Sequence, residues 1–103
     1  MARFDVHQYT RPRSPVLAVV DVQADILSAL ATRMVIPLVP AALARAAELS
    51  RLNPRIAING EPFILVTTDM AALKADALGP VILNIEDQRQ IIIDAIDFLL
   101  QGF

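Results

Sequence analysis

Along most of the chain, hydrophobic positions occur in short runs or alternate with polar ones, and a helical period appears only near the C-terminus. Residues 4–9 partly alternate and predict a first strand. Residues 16–22 form an apolar, β-branched run that is typical of a buried strand. Residues 33–39 predict another strand, in which Pro37 lacks a ladder donor and is expected at an edge or a bulge.

The middle of the chain contains one clear turn signal and two ambiguous segments. Residues 56–58 and 63–68 flank the pair Asn59-Gly60, which accepts positive φ and therefore predicts a β-hairpin. Pro62 is expected to broaden its turn. Residues 40–52 and 71–78 are rich in alanine and leucine, so their intrinsic propensity favours helix.

The last element is predicted to be an amphipathic helix with Asn84 as its N-cap and two acidic residues in its first turn. Its polar positions fall at spacings of three and four and occupy an arc of about 80°, whereas the apolar arc covers about 220°. These polar positions are Asp87, Gln90, Asp94, Asp97 and Gln101. A helix packed on one sheet needs an apolar arc of only about 100° or slightly more. The excess predicts that a second body, most simply a second copy of the chain, also covers the helix.

The composition narrows the class of protein. The 103 residues predict a single domain over residues 1–103, and 55% of them are hydrophobic, which favours self-association as a homodimer. The absence of cysteine excludes disulfides and thiolate metal sites. The first eleven residues lack the apolar run of a secretory signal, and no apolar run approaches the roughly 20 residues that span a bilayer. A soluble, cytoplasmic protein without a membrane partner is therefore expected.

Charge is unevenly distributed along the chain. The formal net charge is −2, but residues 69–103 contain six acidic and two basic residues. Contact with nucleic acid phosphates needs clustered lysine and arginine, so this balance argues against direct nucleic acid binding. It favours a basic protein surface as the partner.

The residues with reactive side chains do not form a catalytic or cofactor-binding pattern. His7 is the only histidine and is expected to be structural or on the surface. Asp21 and Asp25 could form a metal or acid–base pair, although hydrogen bonding within a turn is the favoured interpretation. Residues 67–69, Thr-Thr-Asp, could be a nucleophile beside a carboxylate, but no base candidate is visible nearby, and cross-strand threonine pairing followed by an aspartate turn is the favoured interpretation. No catalytic residue, metal ligand or cofactor is predicted.

Two acidic residues of the last helix have a placement that costs stability. Asp94 and Asp97 are like charges at i and i+3, and they lie toward the negative end of the helix dipole, where a carboxylate typically costs about 0.3–1 kcal/mol. A lysine would avoid this cost. One hypothesis is that the polar stripe contacts a cationic partner, and the alternative is an ordinary solvated helix face.

Three short blocks in fixed order resemble the CcdB family of toxins. They are DVQADIL at residues 21–27, RMVIPL at residues 33–38 and TTDMA at residues 67–71, and the resemblance extends over nearly the whole chain. It implies a mainly β fold with one C-terminal α-helix (α+β), built as a curved antiparallel sheet that closes like a partly open SH3-like barrel, in a homodimer. It also implies that residues 40–52 are mostly an irregular connection and that residues 71–78 run extended in the sheet.

The resemblance further implies a function and a binding surface. CcdB-like toxins of type II toxin–antitoxin modules bind the gyrase A subunit and trap DNA gyrase on cleaved DNA. A cognate antitoxin with a disordered C-terminal tail wraps the toxin and removes it from gyrase. The positions that carry this surface, with Asp94 added from the polar stripe, are Ile26, Leu27, Asp94, Asp97, Leu100, Gln101, Gly102 and Phe103.

This chain departs from the family pattern at Gln101, where the best-known members have a tryptophan that stacks on a gyrase arginine. Two alternatives to gyrase poisoning remain, of which only the second is motivated by Gln101. One is a messenger-RNA endonuclease of the same fold, which the acidic balance and the missing acid–base cluster disfavour. The other is a detoxified relative that binds only an antitoxin.

Overall fold

A computed structural model describes residues 2–44 and 51–102 of the chain. Within these residues seven β-strands are followed by one α-helix, and short 3₁₀ turns connect several of them. The strands are β1 (Asp5–Gln8), β2 (Ala18–Asp21), β3 (Thr32–Pro40), β4 (Arg55–Ile58), β5 (Glu61–Leu65), β6 (Ala71–Lys74) and β7 (Val81–Asn84), and the helix is α1 (Arg89–Gln101).

All strand pairs are antiparallel, in the order β4-β5-β3-β2-β1-β7, and β6 also pairs with β3. The sheet curls into a half-barrel because β3 has two partners on one side. Its first half pairs with β6 and its last three residues pair with β5, while β2 lies along its other side. The expected fold, mainly β with one C-terminal helix on a curved antiparallel sheet, is confirmed.

Pro37 lies inside the central strand β3, so the prediction of an edge position is wrong. It pairs with Val19 of β2 on one side. On the other side its carbonyl accepts the Val66 N–H at 2.9 Å, between the segments of β3 that pair with β6 and with β5. Because the N and C=O of an extended residue face the same side, the missing donor of Pro37 falls where the ladder is interrupted.

The predicted hairpin is confirmed, with a tighter turn than expected. Asn59 and Gly60 have φ of 51° and 80° and form a two-residue connection between β4 and β5. Pro62 does not broaden the turn, because it sits opposite Ala57 within the ladder. The backbone of Ala57 bonds instead to Gln88, whose Oε1 accepts the Ala57 N–H at 2.9 Å and whose Nε2 donates to the Ala57 carbonyl at 2.7 Å.

The two ambiguous segments do not form α-helices where they are described. Residues 71–74 form β6, and residues 75–77 form a single 3₁₀ turn, so the extended path implied by the resemblance is confirmed. Pairing with β3 outweighs the helix propensity of this segment. In the other segment, residues 41–43 form a 3₁₀ turn and residues 51–53 are bends, while residues 45–50 lie outside the described residues.

The last helix begins later than its acidic residues suggested. Glu86–Gln88 forms a 3₁₀ turn, and the α-helix starts at Arg89. Asn84 Oδ1 accepts the Glu86 N–H at 2.9 Å, so the predicted cap bonds the 3₁₀ turn rather than the helix itself.

Across residues 2–44 and 51–102, no helix has the length and apolar character needed to cross a membrane.

Hydrophobic side chains pack on both faces of the sheet. On one face, the buried residues Ile92 and Ala95 of α1 pack against the strands together with the aromatic ring of Phe4. On the other face, Val19 and Val35 belong to a second, smaller cluster. The helix is therefore held on one face of the sheet by one side of its circumference.

Candidate functional site

The DVQAD segment positions an exposed apolar loop. Gln23 donates from Nε2 to the Leu27 carbonyl at 3.0 Å, and its Oε1 accepts the Met34 N–H at 3.0 Å. Asp25 Oδ1 accepts the Arg3 N–H at 2.7 Å. These bonds anchor the 3₁₀ turn Asp25–Leu27, in which the Ile26 side chain is 90% exposed. A large apolar side chain displayed on an anchored loop is a feature of interaction sites.

A buried ion pair involves Asp21, the last residue of β2, after which this loop begins. Arg33 Nε donates to Asp21 Oδ2 at 2.7 Å, and both side chains are almost completely buried. Asp21 Oδ1 also accepts the Gln23 N–H at 3.0 Å, which confirms that Asp21 bonds within a turn. Asp25 instead bonds to the distant backbone of Arg3, so the favoured turn interpretation is wrong for Asp25.

The remaining sequence candidates are His7 and the Thr-Thr-Asp segment at residues 67–69. His7 is buried and structural, with Nδ1 2.9 Å from the Gly79 carbonyl oxygen. Thr67 and Asp69 lie in a 3₁₀ turn after β5, so the suggested cross-strand threonine pairing is wrong. The Thr67 hydroxyl is buried without a hydrogen-bond partner among the residues that are described. It therefore has no activating base there.

The C-terminal half of α1 exposes large apolar side chains, and Ile91 in its first turn is also exposed. Ile91 is 42% exposed, Leu99 is 37% exposed and Leu100 is 69% exposed. These positions belong to the broad apolar arc, and the single chain covers only part of it. The helix ends at Gly102, whose φ of 81° is left-handed and whose N–H donates to the Phe98 carbonyl at 2.9 Å. Leu100 is thus an exposed side chain one residue before the end of α1.

The carboxylates of the polar stripe line a groove beside α1. Asp94 and Asp97 share this groove of about 450 Å³ with Arg51, Pro54 and Ile91. Asp94 Oδ1 accepts a hydrogen bond from Gln90 Nε2 at 2.7 Å. In the described part of the chain, Asp97 has no hydrogen-bond or ion-pair partner. At least one carboxylate is thus available to a partner.

Arg51 was not identified as a site residue from the sequence. Its guanidinium carbon lies 4.5 Å from the centroid of the Phe98 ring, one turn of helix after Asp94. A contact between a loop residue and a helix residue 47 positions later has no local sequence signal. The structure therefore adds Arg51 and Phe98 to the candidate surface.

Apart from Asp94 and Asp97, which line the groove, the predicted surface residues fall into two groups. Ala24 and Asp25, beside Ile26, line a depression together with Glu86 and Arg89, which places the loop near the start of α1. Leu100, Gln101 and Gly102 are exposed at the other end of the helix, about 18 Å away along its axis. Phe103 lies outside the described residues. One chain displays both groups but does not bring them into contact.

A comparison with known protein families identifies the family to which this chain belongs. The family model described as CcdB protein matches residues 3–102, nearly the whole chain. This chain belongs to the CcdB family. Membership of the CcdB family indicates a toxin of a toxin–antitoxin module. For such a protein, the exposed loop and the exposed helix end are candidate binding surfaces.

Proposed function

We propose that this CcdB family member is the toxin of a type II toxin–antitoxin module that binds the gyrase A subunit and traps DNA gyrase on cleaved DNA. A cognate antitoxin with a disordered C-terminal tail neutralises it, and both act in the cytoplasm. The observation that carries this proposal is the end of α1, where the exposed Leu100 follows Asp97 by three helix positions and so neighbours it on the helix surface. Family membership over residues 3–102 supports the same function.

The charge of this surface favours a cationic protein partner. Asp94 and Asp97 lie on one side of α1, and Asp97 adjoins the last turn, where the helix dipole disfavours a carboxylate. A partner arginine would relieve this cost by forming charge-assisted hydrogen bonds with them. The binding residues proposed are Ile26, Leu27, Asp94, Asp97, Leu100, Gln101, Gly102 and Phe103.

The proposed active form is a homodimer. Ile91, Leu99 and Leu100 remain exposed on the apolar arc after the helix has packed on its own sheet. Apolar surface of this kind is stabilised when a second body removes it from water. A second copy supplies that body and doubles the surface offered to a partner.

Gln101 is expected to weaken binding relative to family members with tryptophan there. A cation–π contact contributes roughly 0.5–2 kcal/mol, so losing two copies in a dimer costs about 1–4 kcal/mol, or about 5- to 1,000-fold in affinity. The decisive experiment is a supercoiling and DNA-cleavage assay with purified gyrase, comparing the wild-type protein with Gln101→Trp. We expect inhibition and cleaved DNA with the wild type and higher potency with Gln101→Trp.

Control variants separate this function from its alternatives. Reversing the charge at both Asp94 and Asp97 to lysine should weaken gyrase binding while the fold, checked by circular dichroism, stays intact. No inhibition by either the wild type or Gln101→Trp would contradict gyrase as the target. Cleavage of RNA by the purified protein would instead identify the endonuclease alternative, and unaffected growth with intact antitoxin binding would identify a detoxified relative.

A further inference from the structure

The groove beside α1 already contains one guanidinium group. Arg51 stands at its wall, with its guanidinium carbon 4.5 Å from the centroid of the Phe98 ring. Phe98 is only partly buried, and it is not among the side chains packed against the helix-side core. Its ring face is therefore available for a contact with a cation rather than committed to the core.

The rest of the groove suits the same chemical group. Asp94 and Asp97 provide carboxylate oxygens, which accept the forked N–H groups of a guanidinium. Pro54 and Ile91 provide apolar walls for the methylene stem of a long cationic side chain. The volume of about 450 Å³ lies within the range of small-ligand pockets.

Arg51 contacts the Phe98 ring but not the carboxylates of the groove. Among the described residues, the ion pairs join Arg33 with Asp21 and Arg89 with Glu86, and Arg51 forms none. Arg51 is exposed and keeps the ring contact without the nearby carboxylates. A guanidinium that entered from outside could combine the ring face with both carboxylates.

We propose that this groove is an arginine-binding site and that Arg51 is an internal competitor that covers the Phe98 ring until a partner arginine replaces it. The proposal rests on the proposed function for its biological partner, because it assigns an arginine-bearing protein segment to the same acidic side of α1. It also makes Arg51 a residue that sets the affinity of the surface without belonging to the predicted contact positions.

Arg51 is expected to lower the affinity of the groove for an external arginine only modestly. For an exposed guanidinium–ring contact of typical strength, conformers in which Arg51 covers the Phe98 ring outnumber those in which the ring is uncovered by a factor of about 2 to 5. The ring is then uncovered for about one sixth to one third of the time. Removing the competing guanidinium should therefore increase the affinity for an external arginine by about three- to sixfold.

The test is an NMR titration of the full-length protein with two short blocked peptides, acetyl-Gly-Arg-Gly-amide and its lysine counterpart. The variants are Arg51→Gln, Phe98→Leu, Phe98→Tyr and, as a matched control, Arg55→Gln. Arg55 is an exposed arginine four residues away that lines a different depression, so its substitution removes the same charge nearby without uncovering the ring.

The expected result has three parts. The arginine peptide perturbs the Phe98 ring and moves the Arg51 Nε–H signal toward its position in the Phe98→Leu variant. Arg51→Gln tightens binding about three- to sixfold, whereas Arg55→Gln changes it by much less. Phe98→Leu removes the preference for the arginine peptide over the lysine peptide, and Phe98→Tyr keeps it.

Other outcomes would overturn the inference. Equal gains from Arg51→Gln and Arg55→Gln would mean that overall charge, rather than competition for the ring, controls binding. Perturbations away from the groove, or no binding even by Arg51→Gln, would also exclude the site. Binding of the gyrase A subunit by the same variants is measured in parallel. Peptide binding without gyrase binding contradicts only the proposed function, and gyrase binding without an Arg51 effect contradicts only this inference.

Discussion

The buried ion pair between Asp21 and Arg33 leads to a prediction about stability. Arg33 Nε donates to Asp21 Oδ2 at 2.7 Å, on the sheet face that also contains Val19 and Val35. The two terminal nitrogens of Arg33, Nη1 and Nη2, are buried and have no hydrogen-bond partner among the described residues. The guanidinium is therefore neutralised through one contact and is only partly satisfied.

The structure sets the expected magnitudes for Arg33→Met and Asp21→Asn. Either single substitution leaves one buried charge without its counter-ion, which typically costs about 3–5 kcal/mol. The double variant contains neither charge, and the new amide oxygen in place of the Asp21 carboxylate could still accept the Gln23 N–H, which Asp21 Oδ1 accepts at 3.0 Å. Its remaining cost is that of a poorly satisfied buried amide, about 1–3 kcal/mol.

Urea unfolding at one fixed protein concentration measures all four free energies of unfolding. We expect the double variant to be more stable than the sum of the single effects allows, with a coupling energy of at least about 3 kcal/mol. A fixed concentration matters because association would itself contribute to stability. Additive losses, or single variants that lose less than about 1 kcal/mol, would refute the reasoning that desolvated charge dominates this pair.

Two further contacts give testable changes in stability. Gln88→Ala removes two hydrogen bonds to the backbone of Ala57 and should cost about 1–2 kcal/mol in urea unfolding, with β4 losing amide exchange protection. Burial would raise the pKa of Asp5, but hydrogen bonds from Asn84 and the Ala2 N–H outweigh it and lower the pKa below 3.8. This carboxylate therefore contributes stability above its unfolded pKa and loses it as pH falls through the folded value. In Asp5→Asn, the free energy of unfolding should decrease less steeply as pH falls through this range. An unchanged pH dependence of the free energy of unfolding would contradict this.

Much of the sheet could be predicted because its signals are local. The continuous apolar run before Asp21 predicts β2, and Asn59-Gly60 predicts the hairpin between β4 and β5. Residues 71–74 have the opposite local signal, since alanine and leucine favour helix. Their extended form depends on pairing with the first half of β3, a distant segment, and only the family resemblance anticipated it.

The contacts that shape the candidate surface could not be predicted from spacing alone. Arg33 begins a predicted strand, and nothing local indicates that its side chain turns inward to Asp21. Gln88 and Arg51 likewise act on residues more than 30 positions away, Ala57 and Phe98. The excess of apolar positions on the last helix was easier to predict, because it is visible in the helical period, whereas Ile26 and Leu27 of the loop came only from the family resemblance.

The separation of the two groups of surface residues constrains the kind of partner that can use both. The loop that contains Ile26 lies near the start of α1, and Leu100 lies about 17 Å further along the helix axis. A protein interface of standard size covers about 800 Å² on each partner, a patch about 30 Å across, so a folded protein domain can contact both groups at once. A disordered tail reaches both only if at least five or six of its residues run extended, at about 3.3 Å each. A small molecule would reach one group alone, so the arrangement of this surface favours macromolecular partners.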